Sequence, residues 1–253
     1  MKAADSCLTD GGMLMITITT ETIQLRAGEL GADCCGIASL ERFNDAPAGF
    51  HPTAVLKSCK SVIILAARFP VSTLLSPSPA AYTFVRHRLV DKMDSLSFQL
   101  ALELELLGFQ ALPIPSSDPY DCWDDSRSHG QGILSLKHAA VRAGLGQLGK
   151  NTLLINHQWG NMLWLGGILT DAKLAPSPLA DYQACLPECR LCLTACPAKA
   201  LDGTTIIQSK CRGTSSKSTP GGGFVYSCNI CRKICPQHQG LKQSKHENNR
   251  LQG

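Results

Sequence analysis

The feature that most constrains this chain is the crowding of eight of its 13 cysteines between Cys185 and Cys235. The longest apolar run, SVIILAARF, is too short to span a bilayer, and the amino terminus MKAADSCLTDGG lacks a basic-then-apolar signal pattern. We therefore expect a cytoplasmic protein with no membrane partner. A reducing cytoplasm disfavours a disulfide framework, so the cysteine-rich window is predicted to be a metal module.

Two motifs divide this window. In the first, CLPECRLCLTACP, the cysteines follow the spacing C-x3-C-x2-C-x3-C and precede a proline. In the second, CNICRKICP, they follow C-x2-C-x3-C before a proline, and Cys211 stands between the motifs. Bacterial ferredoxins use the run C-x2-C-x2-C-x3-C-P, in which the last cysteine ligates the other of two clusters. The window therefore predicts two [4Fe-4S] clusters.

The same pattern assigns the ligands, because the last cysteine of each motif crosses to the neighbouring cluster. One cluster is predicted to be held by Cys185, Cys189, Cys192 and Cys235, and the other by Cys196, Cys211, Cys228 and Cys231. Zinc is the alternative, since paired C-x2-C units also form tetrahedral zinc sites. The C-x3-C-P ending, which occurs twice, favours iron-sulfur clusters over zinc.

The residues before the window alternate between helical and extended patterns. Apolar spacing predicts helices over 20–32, 82–107 and 135–143, and strands over 34–40, 61–68, 109–115, 152–155 and 163–170. This alternation predicts an α/β sheet domain. We expect a flexible amino terminus over 1–14, the α/β domain over 15–178, the two-cluster domain over 179–240, and a polar tail over 241–253.

The stretch GLGQLGKN, residues 144–151, nearly matches both the Rossmann and the P-loop patterns. Both patterns need a strand before the glycines and a helix after them. Here a helix-like segment precedes the stretch, a strand-like segment follows it, and Asn151 replaces the hydroxyl residue of a P-loop. We therefore expect no nucleotide site, and the alternative is a glycine-rich turn between a helix and a strand.

The segment SLKHAAVRAGLGQLGKNTLLI, the later LGGILTD and the two cysteine motifs, in this order, resemble the epoxyqueuosine reductase family. The resemblance implies a nitroreductase-like α/β domain that binds cobalamin and a ferredoxin-like domain whose clusters supply it with electrons. Reductive dehalogenases are related in architecture. The resemblance places these residues beside the corrinoid or the cluster domain: Gly144, Gly146, Gly149, Lys150 and Asn151.

Several side chains near this segment have both a functional and a structural interpretation. Lys137 and His138 precede the glycine turn and are candidates to contact a cofactor, although isolated residues of these types are commonly surface or core residues. Trp123, Trp159 and Trp164 suit a flat cofactor face or ordinary apolar packing. Cys34 and Cys35 are interpreted as structural.

One departure from the family concerns its proton donor. The family carries a D-x-G motif ahead of the AGLG helix, and counting back from Ala143 places Gly130 at the aspartate position. The catalytic residue is therefore unknown. Asp124, Asp125 and His129 are candidates to substitute for it, and a solvated acidic loop is the alternative.

A second departure concerns partners. The sequence stops soon after the second motif, without the helical-repeat extension that the tRNA-modifying enzymes use, and its net charge is only +4. These observations predict that tRNA is not a partner. An electron donor such as ferredoxin or flavodoxin is expected instead, with a corrinoid or a partner protein as the acceptor.

Three functions remain open from sequence. The first is an iron-sulfur oxidoreductase whose clusters reduce a corrinoid or other cofactor, which then reduces a small substrate. The second is an electron carrier that activates a partner protein and holds no catalytic cofactor. The third is a zinc-stabilised binding module. The size of the α/β domain favours the first, because a carrier needs only the cluster segment.

Overall fold

A computed structural model describes residues 18–124, 126 and 129–241. Its helices are α1 (Thr20–Leu30), α2 (Pro52–Val55), α3 (Pro79–Leu106), α4 (Leu136–Arg142), α5 (Leu191–Thr194), α6 (Gln208–Ser215) and α7 (Ile230–Lys233). Its strands are β1 (Cys34–Ser39), β2 (Ser61–Arg68), β3 (Ala111–Ile114), β4 (Cys122–Asp124), β5 (His129–Gln131), β6 (Gln147–Leu148), β7 (Leu154–Ile155), β8 (Leu163–Thr170), β9 (Ser216–Ser218) and β10 (Phe224–Tyr226).

The main sheet has four strands in the order β1-β2-β8-β3, and each of its three pairings is antiparallel. The two central strands are buried on both faces, since β2 is buried from Ser61 to Ala67 and β8 along most of its length. A strand covered on both faces reads as a continuous apolar run without alternation. This explains why residues 62–67 of β2, VIILAA, are apolar without alternation.

Helices cover both faces of this sheet. Side chains alternate across β2, so that Ile63 and Leu65 pack with α1 and α3, whereas Val62 and Ile64 pack with α4. Helix α1 ends at Gly31, whose φ of 107° is the left-handed conformation typical of a glycine after a helix. The prediction of a mixed α/β fold is confirmed, and a ferredoxin-like second domain stays a prediction.

Short elements join the sheet to the cysteine-rich segment. Strands β4 and β5 form a two-stranded antiparallel pair, and β6 and β7 form another within the glycine turn. Strands β9 and β10 pair between Cys211 and Cys228, and the Tyr226 N–H donates to the Thr83 hydroxyl on α3 at 2.8 Å. The second half of the cysteine module is thereby fastened to the sheet domain.

Among the helices in the described ranges, none has both the length and the apolar character needed to cross a membrane.

Candidate metal centres and the adjoining cavity

The first group of cysteines lies where the two short helices α5 and α7 meet. Cys185, Cys189, Cys192 and Cys235 line one cavity together with Lys150 and Asn151. Burial raises the pKa of the Cys192 thiol, and the nearby thiols of Cys185 and Cys189 raise it further. The structure therefore brings together thiols from both motifs, because Cys235 belongs to the second.

The second group forms around Cys231. Burial raises the pKa of this thiol to about 11; Arg232 opposes the rise, and the thiols of Cys211, Cys228 and Cys196 add to it. Burial also raises the pKa of the Cys211 thiol, and the nearby thiols of Cys228 and Cys196 raise it further. Cys196 comes from the first motif, so this group also combines the two motifs.

These two groups contain the cysteines that the ferredoxin spacing assigns to each cluster, and their ligation of clusters stays a prediction. In the described ranges none of the cysteines is in a disulfide, and no group of three or more His, Cys, Asp or Glu side chains has the arrangement of a site for a single metal ion. A zinc site needs its thiolate sulfurs about 2.3 Å from one metal ion. The choice between iron-sulfur clusters and zinc stays a prediction.

Backbone N–H groups point at the cysteine sulfurs of both groups. The Lys150 N–H donates to Cys185 Sγ at 3.4 Å, and the Ala200 N–H donates to Cys196 Sγ at the same distance. Hydrogen bonds to the ligand sulfurs are one of the means by which proteins set the potential of iron-sulfur clusters. The cysteine loops thus carry donors suited to thiolate ligands.

Lys150 and Asn151, at the end of the glycine stretch, hold the two cysteine loops. The Lys150 ammonium donates to the carbonyl oxygens of Leu186, Pro187 and Cys189. Asn151, whose side chain is 2% exposed, donates from Nδ2 to the Cys231 carbonyl oxygen at 3.1 Å. Both residues therefore lie beside the cysteine-rich segment, and a role for them beside a corrinoid or a cluster stays a prediction.

The glycines of the same stretch are covered by the chain's own backbone. A Cβ on Gly144 would overlap the Pro178 carbonyl oxygen, and a Cβ on Gly146 would overlap the Ile155 carbonyl oxygen. At Gly149 a Cβ would lie 2.5 Å from Ile155 Cδ1. Helix α4 precedes these glycines and β6 and β7 follow them. The stretch is a close-packed turn, which excludes the strand-then-helix order of a phosphate loop.

Lys137 and His138 lie on α4, with different surroundings. Lys137 is half-buried; burial lowers the pKa of its ammonium, and the nearby Cys231 thiol opposes that shift. His138 is exposed, with Nδ1 2.7 Å from the Ser135 hydroxyl. Lys137 thus approaches the second cysteine group, and contact of either residue with a cofactor stays a prediction.

The candidate catalytic residues lie at the β4–β5 pair. Asp124 accepts a hydrogen bond from the Ser126 hydroxyl at 2.6 Å and is the register partner of His129. Asp125 lies outside the described residues. Catalysis by these three residues stays a prediction. At Gly130, the predicted position of the family's aspartate, a Cβ would lie 3.3 Å from Arg212 Nη2.

A cavity of about 410 Å³ lies next to the second cysteine group, between the sheet domain and the cysteine module. Its lining includes Arg86, Asp118, Tyr120, Cys211, Arg212 and Tyr226. Sequence reasoning missed both arginines, because α3 and α6 meet only in the folded chain and neither arginine belongs to a motif. The three tryptophans lie beside arginines: Trp123 by Arg212, Trp164 by Arg86 and Trp159 by Arg68.

A further connection, between the second cysteine motif and the sheet domain, was not predicted from the sequence. The buried guanidinium of Arg232 donates to the Asn161 carbonyl oxygen, and Asn161 Nδ2 donates to the Arg232 carbonyl oxygen at 3.2 Å. The same guanidinium lies 5.3 Å from the centre of the Phe69 ring. The second cysteine motif is therefore anchored by a buried, hydrogen-bonded cation.

Comparison with known proteins relates the chain to epoxyqueuosine reductases. It is 31% identical over 121 residues to that enzyme from Staphylococcus aureus, covering 44% of this chain and 31% of the relative. It is 25% identical over 257 residues to the enzyme from Leadbetterella byssophila, covering 86% and 79% respectively. The match spans about a third of the Staphylococcus relative and 53% of the Bacillus anthracis enzyme. No family model matches the chain.

Solved structures share the fold. Epoxyqueuosine reductase from Streptococcus thermophilus superposes with a TM-score of 0.61 at 22% identity, covering 88% of this chain and 67% of that one. A catabolic reductive dehalogenase superposes with a TM-score of 0.63 at 17% identity, covering 87% and 32%. A further dehalogenase structure, described in terms of B12-dependent dehalogenation, has a TM-score of 0.54 at 16% identity and covers 83% and 28%. The predicted family resemblance is confirmed, and with it a relationship to reductases.

One partner prediction is wrong. The expectation that tRNA is not a partner rested on the small net charge and on the length of sequence after the second motif. A structural relative with a TM-score of 0.58, at 20% identity and covering 90% of this chain and 67% of that one, was solved with an epoxyqueuosine-modified tRNA stem loop. Net charge over a whole chain does not report a local phosphate-binding surface, so it could not exclude tRNA.

Proposed function

We propose that this chain, a relative of the epoxyqueuosine reductases, is an iron-sulfur oxidoreductase that reduces a substrate bound beside its second cluster. The observation that carries the proposal is the gathering of eight cysteines into two groups of four, one of which adjoins a cavity through Cys211. The curated relatives, which are named as reductases, support it. In this proposal the segment over 179–240 is the ferredoxin-like domain.

The residues fit two [4Fe-4S] clusters. Cys185, Cys189, Cys192 and Cys235 would hold one cluster, and Cys196, Cys211, Cys228 and Cys231 would hold the other. When bound, such clusters supply electrons one at a time. The chain itself contributes N–H donors at two ligand sulfurs, the Lys150 and Asn151 contacts that fix the loops, and the cavity that receives the substrate.

A corrinoid is proposed as the electron acceptor only in second place. One dehalogenase relative is described in terms of B12-dependent chemistry, which favours it. The cavity of about 410 Å³ has the size of a site for a drug-sized ligand, and a whole corrinoid is far larger than such a ligand. Gly144 and Gly146 face the chain's own backbone instead of a cavity. The proposal therefore assigns no step to a corrinoid.

The substrate to test first is an epoxyqueuosine-modified tRNA stem loop, because a structural relative was solved with one. Two electrons and two protons would remove the epoxide oxygen as water. The experiment incubates the anaerobically reconstituted protein with reduced methyl viologen and the stem loop, and follows the loss of one oxygen from the nucleoside by mass spectrometry. Turnover by the wild-type chain that Cys231→Ser abolishes supports the proposal, and turnover retained by Cys231→Ser contradicts it.

An electron carrier for a partner protein is the second candidate function. One observation favours it: the position of the family's aspartate is Gly130, which offers no proton donor. A carrier would accept electrons from reduced methyl viologen and pass them to a one-electron acceptor such as cytochrome c, without converting the stem loop. Conversion of the stem loop by this chain alone would exclude a purely carrier function.

A further inference from the structure

We infer that the cavity between α3 and α6 is an anion-binding subsite, in which Arg86 and Arg212 hold a carboxylate or phosphate group of the substrate. The inference deepens the proposed function, because it names the charge class of the substrate beside the second cluster. Its test is a binding measurement and does not depend on electron transfer.

Arg86 is the first element of the subsite. Its guanidinium lies 3.4 Å from the centre of the Tyr226 ring and 5.2 Å from the centre of the Trp164 ring. Within the described part of the chain it has neither a hydrogen bond nor an ion pair. Packing over aromatic faces fixes a guanidinium while leaving its N–H groups to donate at the edge. Arg86 is thus a half-buried cation that needs an acceptor.

Arg212 is the second element. Its guanidinium lies 4.9 Å from the centre of the Tyr120 ring, and Nη2 donates to the Tyr120 hydroxyl at 2.6 Å. A guanidinium has five N–H donors, so the one bond to Tyr120 leaves others for a ligand. Arg212 is the residue immediately after Cys211, which places an anion on these donors beside a proposed ligand of the second cluster.

The charge of the cavity supports an anion. Arg86, Arg212 and Asp118 are its charged lining residues, so their formal sum is two positive charges minus one negative charge, or +1. Asp118 is exposed, and among the described residues it forms an ion pair with neither arginine, so both guanidinium groups keep N–H donors for a ligand. Two guanidinium groups suit carboxylate and phosphate because their paired N–H donors match two oxygens of one anion.

Gly130 makes room for this arrangement. A Cβ at Gly130 would lie 3.2 Å from two carbons of the Tyr120 ring and 3.3 Å from Arg212 Nη2. Helix α6 also contacts Gly130, because the Gly130 N–H donates a hydrogen bond to Gln208 Oε1 at 3.1 Å. An aspartate side chain here would crowd Arg212 and neutralise it. The lack of a side chain at residue 130 therefore leaves room for Arg212 at the cavity.

The test measures binding by isothermal titration calorimetry on the anaerobically reconstituted full chain, with benzoate, inorganic phosphate and the neutral analogue benzamide. We expect benzoate or phosphate to bind, and the one that binds more tightly identifies carboxylate or phosphate as the preferred group. Arg86→Gln and Arg212→Gln should each weaken that binding about 10- to 100-fold, the usual effect of losing a charged hydrogen bond.

Arg88→Gln is the matched control, because Arg88 is an exposed residue of the same helix as Arg86 and pairs with Asp91 at 2.7 Å. Its anion affinity should equal that of the wild-type chain. The inference would be overturned if benzamide bound as tightly as the preferred anion, if neither anion bound at millimolar concentration, or if all three variants lost the same affinity. The visible absorption of the clusters, recorded on the same samples, tests the proposed function separately.

Discussion

The Lys150 ammonium donates to the Cys189 carbonyl oxygen at 3.0 Å, so a residue of the glycine turn holds the first cysteine loop. The same ammonium donates to the carbonyl oxygens of Leu186 and Pro187, and the Lys150 backbone N–H donates to Cys185 Sγ. One residue of the sheet domain thus fixes the backbone of a loop that supplies three of the four thiols. The sequence Gly149-Lys150-Asn151 resembles part of a phosphate loop. In this chain its side chains donate hydrogen bonds to the backbone of both cysteine motifs.

Lys150→Met should make the first cluster labile, because it keeps the apolar stem and removes the donor to three carbonyl oxygens. A hydrogen bond to a charged group contributes about 1.5–3 kcal/mol, so we expect an iron chelator to remove this cluster about 10-fold faster or more. The measurement is the anaerobic bleaching of cluster absorption in the presence of the chelator. Lys217→Met, at an exposed lysine of the same module, is the control. Identical bleaching rates would show that Lys150 does not hold the loop.

Gly144→Ala should destabilise the chain for two reasons that a control can separate. The φ of Gly144 is 77°, and left-handed backbone costs an alanine about 1–2 kcal/mol. The new Cβ would also overlap the Pro178 carbonyl oxygen, and relieving that overlap should cost about 1–3 kcal/mol more.

Gly49→Ala is the matched control for this substitution. Gly49 has a φ of 82°, but nothing lies within 4 Å of its Cβ position. Urea unfolding should therefore show a clearly smaller loss for Gly49→Ala than for Gly144→Ala. Equal losses would mean that the backbone at residue 144 moves away from Pro178 at little cost.

Glu103→Gln should reduce stability at neutral pH but not in acid. Arg26 donates to both carboxylate oxygens of Glu103, at 2.8 and 2.7 Å, and holds the pKa of Glu103 below its ordinary value of 4.5. The folded chain therefore binds fewer protons than the unfolded chain near that pH, and the stabilisation is present above pH 4.5 and lost as the pH falls through the lowered pKa. The pair is partly exposed, so its loss should cost less than about 1 kcal/mol.

The measurement is the difference in free energy of unfolding between wild type and Glu103→Gln from pH 7 down to pH 3. Glu105→Gln, at an exposed carboxylate of the same helix, controls for the loss of charge. A difference that grows as the pH falls would have the wrong sign for this pair.

The crossed ligation predicts which cysteine variants behave alike. Cys235→Ser and Cys192→Ser should remove the same cluster, although the two residues belong to different motifs, whereas Cys231→Ser should remove the other cluster. Each variant should leave about four irons of about eight. Electron paramagnetic resonance of the reduced proteins distinguishes the remaining cluster. Cys122→Ser, at an exposed cysteine outside the module, should keep both clusters. If Cys235→Ser gave the spectrum of Cys231→Ser, the clusters would be ligated motif by motif.

The sequence predicted those features that depend on local pattern. The strand over 61–68 and the end of α1 at Gly31 follow from an apolar run and from a glycine after a helix, both local signals. The grouping of the cysteines was predicted from the ferredoxin spacing rule. The rule is local except that the last cysteine of each motif joins the group formed by the other motif. The strand and the helix end appear in the structure at or near the predicted residues, and ligation of clusters by the cysteine groups stays a prediction.

The cavity was beyond sequence reasoning because its residues meet only in three dimensions. Arg86 lies on α3, Tyr120 precedes β4, Arg212 lies on α6 and Tyr226 lies on β10. None of them stands at a motif position, and cation–π contacts leave no spacing signal in sequence. The segment GTSSKSTPGGG between Cys211 and Cys228, rich in glycine and serine, supplies β9 of the β9–β10 pair, and Tyr226 on β10 fastens the pair to α3.

The most direct test of the central claim is the quantification of iron, zinc and labile sulfide in the anaerobically reconstituted chain, with electron paramagnetic resonance after reduction by dithionite. Two four-iron clusters predict about eight irons and eight sulfides per chain, negligible zinc, and signals of reduced [4Fe-4S] clusters. Stoichiometric zinc without sulfide, or about four irons per wild-type chain, would contradict the proposal that the eight cysteines hold two clusters.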